Sequence, residues 1–239
     1  FSVAEGGTTV ATLEGSDAVE GDGASFSTTL TGTDSGDFAL TTGGVLTFQA
    51  TTDFENPVCG TENDSNTCNI TATITDGTNE STQAITITVT NINDNNPVFS
   101  SSTSESINEG ETSVSTVAAG DDDGDTIAYS IDSTGRGDHA LFSIDASTGA
   151  LTMTAPDFES PTDTFGTAGD NVYGVTVKAT DSGTPANTAT HDISVTVVNV
   201  NEQPVITSSA TFSQNENTVI TSAAADVTPT DPDGAGSFT

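Results

Sequence analysis

The sequence predicts an all-β chain made of tandem β-sandwiches, and two observations support this. Apolar and polar residues alternate with a period of two in one run after another, whereas helical periodicity is almost absent. The same motifs then recur at a regular interval along the 239 residues. The alternation is typical of sheets with one face in a core and the other in water, and the recurrence is typical of a repeated domain.

Four runs predict strands, because every second residue is apolar and turns rich in Gly, Asp or Asn separate the runs. The residues predicted to face a core are, run by run, Ile70, Ala72 and Ile74; Ile85, Ile87 and Val89; Tyr173, Val175, Val177 and Ala179; and Ile193, Val195 and Val197. The residues between them, such as Thr86, Thr88 and Thr90, should face water.

The recurring motifs divide the chain into units. Segment TTDFENP matches APDFESP, and ITVTNINDNNP matches VTVVNVNEQP. Glu5 and Glu109 are 104 residues apart, as are Asp53 and Asp157. We therefore predict three domains, which are a repeat lacking its N-terminal residues at 1–96, a complete repeat at 97–203 and a partial repeat at 204–239. We expect them to belong to a longer array.

Composition narrows the choice of partners. The chain has 35 acidic residues against Lys178 and Arg136, which gives a formal net charge of −33. This excludes a nucleic-acid binder and argues against an anionic membrane surface. No apolar run is long enough to insert into a membrane. Cations are the natural partners, although a solvated acidic surface would account for much of the charge.

Cys59 and Cys68 are the two cysteines of the chain. The sequence has no CxxC pair and no His near them, so zinc is not indicated. We predict a disulfide, which would close a loop of about ten residues, stabilise the fold by roughly 2–3 kcal/mol, and indicate an oxidising compartment. Two free thiols in a reduced protein are the alternative.

Acidic residues recur in register with the predicted strand ends, which a merely solvated surface would not require. Each unit has a lone Glu near its start and an Asp-x-Glu pair after its middle strands. Acidic and amide residues also fill the segment between units and an early turn of the next unit. These oxygens should converge at a junction, where Ca²⁺, with about 6–8 oxygen ligands and a tolerant geometry, fits better than Mg²⁺. No cluster of His or Cys supports a transition metal.

Several segments together resemble a cadherin repeat, namely DFE, NINDNNP, DDDGD, ATDSGTP and FSIDASTGAL. They occur in order and cover nearly the whole chain. The short, Gly-rich DDDGDTIAYSI and the VNEQP linker look more like the cadherin-like repeats of microbial surface proteins than like animal classical cadherins. The resemblance implies Greek-key sandwiches of immunoglobulin-like architecture.

The resemblance also implies up to about three calcium ions at each junction between repeats. The ligands it implies at the first junction are Glu5, Asp53, Glu55, Asn93, Asp94, Asn95 through its backbone carbonyl, Asp121, Asp123 and Asp181. Those at the second are Glu109, Asp157, Glu159, Asn201, Glu202, Asp231 and Asp233. The chain departs from the family pattern at Asn91 and Asn199, where Asp is usual, and at Glu202, which also replaces Asp.

The function implied is mechanical. Calcium at the junctions would fix the angle between domains and give a rod-like module of a longer extracellular or cell-surface adhesion or matrix protein. Partners would be calcium ions, other copies of the chain, or a cell-surface protein or glycan.

Three other functions were considered. A polysaccharide-binding module needs exposed aromatic residues, but the chain has no Trp and only Tyr129 and Tyr173. A filament subunit could assemble by strand exchange between the incomplete terminal domains. An enzyme is not expected, because His139 and His191 lie near no Cys and no GxSxG elbow. Sequons that matter only in a glycosylating host stand at Asn63, Asn69 and Asn79.

Overall fold

The computed structural model describes residues 1–16, 24–60, 64–206, 216 and 229–234. Regular structure in these ranges consists of strands and two 3-10 turns, at Ser35–Asp37 and His139–Leu141. Neither turn has the length or the apolar content needed to span a bilayer, and the same holds for every helix in these ranges. The predicted all-β class is confirmed.

Contacts divide the chain into two compact units. The first unit comprises Phe1–Asn95, Asp122–Gly124 and Gly183–Pro185. The second unit comprises Asn96–Asp121, Asp125–Ser182 and Ala186–Thr239. The predicted division at 96 and 203 remains a prediction, because most of the proposed third domain lies outside the described residues, as does the sequon residue Asn63.

The first unit is a two-sheet sandwich. Its strands are β1 (Ser2–Ala4), β2 (Thr9–Thr12), β3 (Ser25–Phe26), β4 (Phe38–Leu40), β5 (Val45–Phe48), β6 (Thr67–Thr75) and β7 (Glu80–Thr90). One sheet has the order β1-β7-β6-β3, with β1 parallel to β7, and the other has the order β2-β5-β4. The parallel pairing brings the end of β1 beside the end of β7, which positions Glu5 next to the segment that follows β7.

The second unit repeats this arrangement, and most of its corresponding strands have the same length. Its strands are β8 (Val98–Phe99), β9 (Ser104–Asn108), β10 (Ser113–Thr116), β11 (Ala119–Gly120), β12 (Ala128–Ile131), β13 (Phe142–Ile144), β14 (Ala150–Met153), β15 (Val172–Thr180), β16 (Thr188–Val198), β17 (Val205–Ile206) and β18 (Pro229–Thr230). The main sheets are β12-β15-β16-β9 and β10-β14-β13, with the pairs β11-β8 and β17-β18 beside them. Here β9 is parallel to β16 and places Glu109 at the end of the sheet.

The predicted alternation accounts for both cores. Ile85, Ile87 and Val89 of β7 are buried, whereas on the opposite face Thr86 and Thr90 are exposed and Thr88 is half-buried. The corresponding apolar residues of β15 and β16 are buried as well. One prediction was wrong in degree: Ile74, near the end of β6, is only half-buried. It lies beside an open apolar cavity of about 460 Å³ that Leu13 and Phe26 also line.

The outer face of β15 departs from the prediction of one wet face per sheet. Gly174 and Thr176 lie on the face of β15 that is turned away from the core, yet both are buried. A Cβ built on Gly174 would lie 2.4 Å from the ring of Phe165, and the Arg136 guanidinium stacks 4.4 Å from the centroid of that ring. A loop therefore covers this part of the sheet, and only glycine leaves room for the aromatic ring.

Cys59 and Cys68 form the predicted disulfide, and both are fully buried. The bond ties the loop before β6 to β6 itself, with a sequence separation of 9 residues. In the second unit Tyr173 serves a similar purpose, because its hydroxyl accepts a hydrogen bond from the Thr162 backbone N–H (3.1 Å). Each unit thus anchors this loop to its sheet by a different means.

Substitution of Gly174 tests the covered face. Gly174→Ala should lower the free energy of unfolding by about 1–3 kcal/mol, because the added methyl overlaps the Phe165 ring. Gly120→Ala in the same unit is the matched control, since a Cβ there meets nothing within 4 Å. Urea denaturation of both variants measures the difference. Equal midpoints for the two variants would contradict the packing described here.

Candidate metal centre

One buried carboxylate organises the end of the first unit. Glu5 is only 6% exposed and follows β1 directly. Its Oε2 accepts a hydrogen bond from the Phe54 backbone N–H (2.5 Å), and its Oε1 accepts one from the Ile92 backbone N–H (2.8 Å). Hydrogen bonds to an ionised acceptor are stronger than neutral ones. Glu5 therefore fastens the Asp-Phe-Glu segment 53–55 and the segment after β7 to the same point.

The second unit contains the same construction. Glu109 follows β9, and its Oε2 accepts from the Phe158 backbone N–H (2.9 Å). Its Oε1 accepts from the Val200 backbone N–H (2.6 Å). The recurrence of a lone Glu, which the sequence repeat showed, thus has a structural reason in both units.

Four carboxylates converge in the first unit. Glu5, Glu55, Asp94 and Asp123 each offer an oxygen, and these oxygens all lie within 4.8 Å of one another. We call this set the first cluster. All four belong to the first unit, because Asp122–Gly124 is part of it. The sequence analysis selected each of these residues, and each comes from a different motif.

The charges of the first cluster oppose one another. Burial raises the pKa of Glu55 to about 7, and the carboxylates of Glu5 and Asp123 contribute to that shift. Partial desolvation also raises the pKa of Asp94, with Glu5 again contributing. Glu55 Oε1 is buried and accepts no hydrogen bond from the described residues. A buried carboxylate oxygen without a donor is unfavourable unless a positive charge is present.

Amide groups near the first cluster act as donors. The Asn95 backbone N–H donates to Asp123 Oδ2 (2.9 Å), and its Nδ2 donates to Asp94 Oδ1 (3.0 Å). Asn91 Nδ2 donates to the Asp123 carbonyl (2.9 Å), and Asn93 Nδ2 donates to the Pro185 carbonyl (2.6 Å). At position 91 an Asp could not make this bond, which explains why an amide is accommodated there.

A smaller set converges in the second unit. Glu109, Glu159 and Asp233 each offer an oxygen, and these oxygens also lie within 4.8 Å of one another. We call this set the second cluster. Asp233 Oδ1 is buried, and no described residue donates a hydrogen bond to it. Desolvation raises the pKa of Glu159, and Glu109 and Asp233 add to the shift.

The second cluster, like the first, is surrounded by backbone and side-chain amides that donate hydrogen bonds to its carboxylates. The Glu202 backbone N–H donates to Asp233 Oδ2 (2.5 Å), and Asp231 Oδ1 accepts from the Asp233 backbone N–H (3.2 Å). Desolvation and neighbouring carboxylates, Glu109 first among them, raise the pKa of Glu202. Asn199, like Asn91, acts as a donor, with its Nδ2 2.7 Å from Glu159 Oε1.

The remaining predicted ligands lie outside the two clusters. Asp53 and Asp157 begin turns, and each accepts a backbone N–H three residues ahead, from Asn56 (3.0 Å) and Ser160 (2.9 Å). Asn201 Nδ2 donates to the Glu202 carbonyl (3.3 Å).

Asp121 and Asp181 fall in the second unit, where the Asp121 carboxylate oxygens are buried and both Asp181 oxygens accept from the Asn187 backbone N–H (3.0 Å). Their roles as ligands remain predictions.

Sequence reasoning missed two kinds of residue. Asp122, the middle residue of the acidic turn, lines the cleft of the first cluster together with Asp53 and Asn56. Asp122 lies between Asp121 and Asp123, so the Asp-x-Asp pattern did not include it. Asn66 and Asn171, which hold the Asp-Phe-Glu segments from behind, were also missed, because no acidic motif marks them.

Comparison with known proteins gives a consistent family. A model of the cadherin domain matches residues 103–198. Protocadherin Fat 1 of Homo sapiens is 32% identical over 163 residues, which are 64% of this chain and 3% of that protein. The chain therefore spans only a small part of the length of this relative. The predicted likeness to microbial repeats remains a prediction.

Solved structures share the fold. The EC22-24 segment of mouse Cadherin-23 aligns with a TM-score of 0.60 and 25% identity, over 84% of this chain and 62% of that one. The EC1-2 segment of human Protocadherin-24, in its Form II crystals, aligns with a TM-score of 0.64 over 83% of this chain and 93% of that one. Identity to the latter is 22%, so this likeness concerns the fold alone.

Proposed function

Because this chain is cadherin-like, with a cadherin domain at residues 103–198, we propose that its two carboxylate clusters bind calcium and that bound calcium stiffens an extracellular adhesion module. The observation that carries the proposal is the convergence of Glu5, Glu55, Asp94 and Asp123 without a basic residue among them. The chain's two basic residues are Lys178 and Arg136, and Arg136 pairs with Asp192 (3.5 Å).

The donor atoms fit calcium. They are carboxylate oxygens, with neither His nor Cys in either cluster, and such hard donors suit Ca²⁺ or Mg²⁺ rather than a transition metal. Calcium tolerates irregular sets of about 6–8 oxygens, whereas magnesium requires a strict octahedron. The buried oxygens Glu55 Oε1 and Asp233 Oδ1, which accept no hydrogen bond, would complete the coordination.

Each residue of a cluster has a distinct role in this proposal. Glu5 and Glu109 each orient the backbone of the site by accepting two backbone N–H hydrogen bonds, and their negative charge would attract the ion. Glu55 and Asp94 supply carboxylates that repel one another until a cation neutralises them. Asn95 holds Asp123 in place through its backbone N–H.

Other predicted ligands would enlarge the sites. At the first site we propose Asp53, Asn93, Asn95, Asp121 and Asp181 as further oxygen donors. At the second site we propose Asp157, Asn201, Glu202 and Asp231. A set of this size could hold more than one ion, as the cadherin resemblance implies.

The mechanical role follows from where these residues stand in the chain. Ligands would come from the end of one repeat, the segment after its last strand and the early turn of the next repeat. Ions held by all three would restrict the hinge that a short linker otherwise permits. The disulfide favours an oxidising, extracellular location. We propose adhesion through other copies of the chain or through a cell-surface protein or glycan.

The other candidate functions have less support. Both tyrosines are buried, so neither offers a platform for a sugar ring. Cadherins are adhesion proteins rather than enzymes, and the family match therefore favours a non-catalytic role. Strand exchange into a filament remains a prediction.

Neutralising one ligand should separate binding from folding. Glu55→Gln should weaken calcium binding at the first site by at least about tenfold, or about 1.4 kcal/mol. In chelator the same variant should be as stable as the wild type or more stable, because it removes a repelling charge. Calcium titrations and thermal melts measure the two effects.

Glu80→Gln is the matched control, since Glu80 is exposed and belongs to neither cluster. It should leave both quantities unchanged. If Glu55→Gln bound calcium as tightly as Glu80→Gln, the proposed site would be wrong.

Small-angle scattering tests the mechanical role. With calcium the profile should be that of one extended, rigid particle. With EGTA the profile should indicate a distribution of shapes, because the carboxylates then repel one another and no ion restricts the linker. Scattering at several protein concentrations controls for association. Identical profiles under the two conditions would exclude a calcium-stiffened rod. Calcium binding itself is tested separately by the titration.

A further inference from the structure

We infer that Asn66 and Asn171 are positioning residues of the two calcium sites, which they serve by fixing the backbone that carries Glu55 and Glu159. The inference rests on the proposed function for the ion, but the contacts that support it are properties of the chain. Neither residue belongs to an acidic motif or to either carboxylate cluster.

In the second unit Asn171 lies directly before β15 and is only 8% exposed. Its Nδ2 donates to the Phe158 carbonyl (2.9 Å), which is the peptide group joining Phe158 to Glu159. Its backbone is also fixed, because its N–H donates to Asp163 Oδ1 (3.2 Å) and its carbonyl accepts from the Val197 N–H (2.9 Å). The amide is therefore held rigidly against the segment that bears Glu159.

Asn66 repeats this geometry in the first unit. It lies directly before β6, and its Nδ2 donates to the Phe54 carbonyl (2.8 Å), in the peptide group that leads into Glu55. Its own carbonyl accepts from the Val89 N–H (2.8 Å), as that of Asn171 does from Val197. The neighbouring residues differ, Cys68 in one unit and Tyr173 in the other, so the shared amide is not a by-product of similar local packing.

The backbone N–H of the Phe that each Asn contacts is bonded to the lone Glu of the same unit. Phe54 donates its N–H to Glu5, and Phe158 donates its N–H to Glu109. Both phenyl rings also pack against the cores of their units. The central Phe of each Asp-Phe-Glu segment is thus fixed at its N–H, its carbonyl and its side chain. We call the pair of Glu and Asn around it the clamp.

The clamp is retained in spite of local costs. The second amide atom of each Asn, Oδ1, is buried and makes no hydrogen bond within the described part of the chain. Asn171 also has a φ of 63°, and it is the sole non-glycine residue in the described ranges with a positive φ. A buried acceptor without a donor and a left-handed backbone are both unfavourable. The left-handed backbone is confined to Asn171, but the buried Oδ1 recurs at the same place in both units, which indicates a requirement beyond packing.

A purely structural role for the two amides makes a different prediction from a positioning role. If the role is purely structural, removing the amide should lower stability equally with and without calcium and leave calcium affinity unchanged. If the role is positioning, removing the amide should lower calcium affinity, because the carboxylate that follows the clamped peptide is no longer held in place. Loss of such supporting hydrogen bonds typically weakens metal binding by about 10–100-fold.

The variants are Asn66→Ala and Asn171→Gly, the latter because glycine accepts the positive φ. Asn69→Ala is the matched control, since Asn69 is an exposed amide of β6 whose Oδ1 only accepts from the Thr86 hydroxyl. The Ile92 and Val200 amides, which contact Glu5 and Glu109, report the two sites separately by NMR during a calcium titration.

We expect Asn66→Ala to weaken calcium binding reported by Ile92 by about tenfold or more and to leave that reported by Val200 unchanged. Asn171→Gly should do the reverse, and Asn69→Ala should change neither. Unchanged affinities in both clamp variants would overturn the inference. So would an equal loss of affinity at both sites, because that would indicate general damage to the fold.

A second measurement does not depend on calcium. In chelator, hydrogen exchange at the Phe54 amide should be faster in Asn66→Ala than in Asn69→Ala, and unchanged exchange would overturn the clamp. If the wild-type chain bound no calcium, the proposed function would fail, and this exchange rate would still decide whether the amide holds the segment. Should Asn66→Ala not fold, Asn66→Ser and the Asn171→Gly variant provide the same comparison.

Discussion

The end of each unit depends on one carboxylate, buried in the first unit and half-buried in the second, that accepts two backbone N–H groups. Glu5 joins the Phe54 and Ile92 amides, and Glu109 joins the Phe158 and Val200 amides. The parallel pairing of the first strand with the last positions this Glu, since it carries the chain to the end of the sheet where the last strand finishes. Two segments that are far apart in sequence are thereby held at one point, and each of them carries a further carboxylate.

That arrangement creates the conflict on which the proposed function is based. Glu55 and Asp94 come to lie beside Glu5, and burial with mutual repulsion raises their pKa values. The protein offers amide donors around the cluster, such as Asn95, but no basic side chain within it. In the proposed function, a divalent cation would remove the repulsion while Glu5 keeps its hydrogen bonds to the Phe54 and Ile92 amides. The supporting amides of Asn66 and Asn171 serve the same arrangement, because they bond to the peptide groups that precede Glu55 and Glu159.

Much of the fold was predictable, because alternation in runs such as Ile85 to Val89 records directly which face meets the core. The convergence of Glu5, Glu55, Asp94 and Asp123 could also be predicted, since the recurrence of acidic motifs at strand ends identified each of them. Residues that act through a single hydrogen bond are not marked by alternation or by a recurring acidic motif. The donor roles of Asn91 and Asn66, and the Phe165 ring over Gly174, depend on how loops return to the sheets, and sequence periodicity holds no record of that.

The central claim is that the clusters require calcium in particular. The most direct test is the midpoint of thermal unfolding, Tm, of the whole chain in chelator, in calcium and in an equal concentration of magnesium. A ligand that binds the folded state at about 100 times its Kd adds about 2.7 kcal/mol to the free energy of unfolding. The account predicts a large rise in Tm with calcium and a much smaller one with magnesium. Equal rises with the two ions, or no rise with calcium, would contradict it.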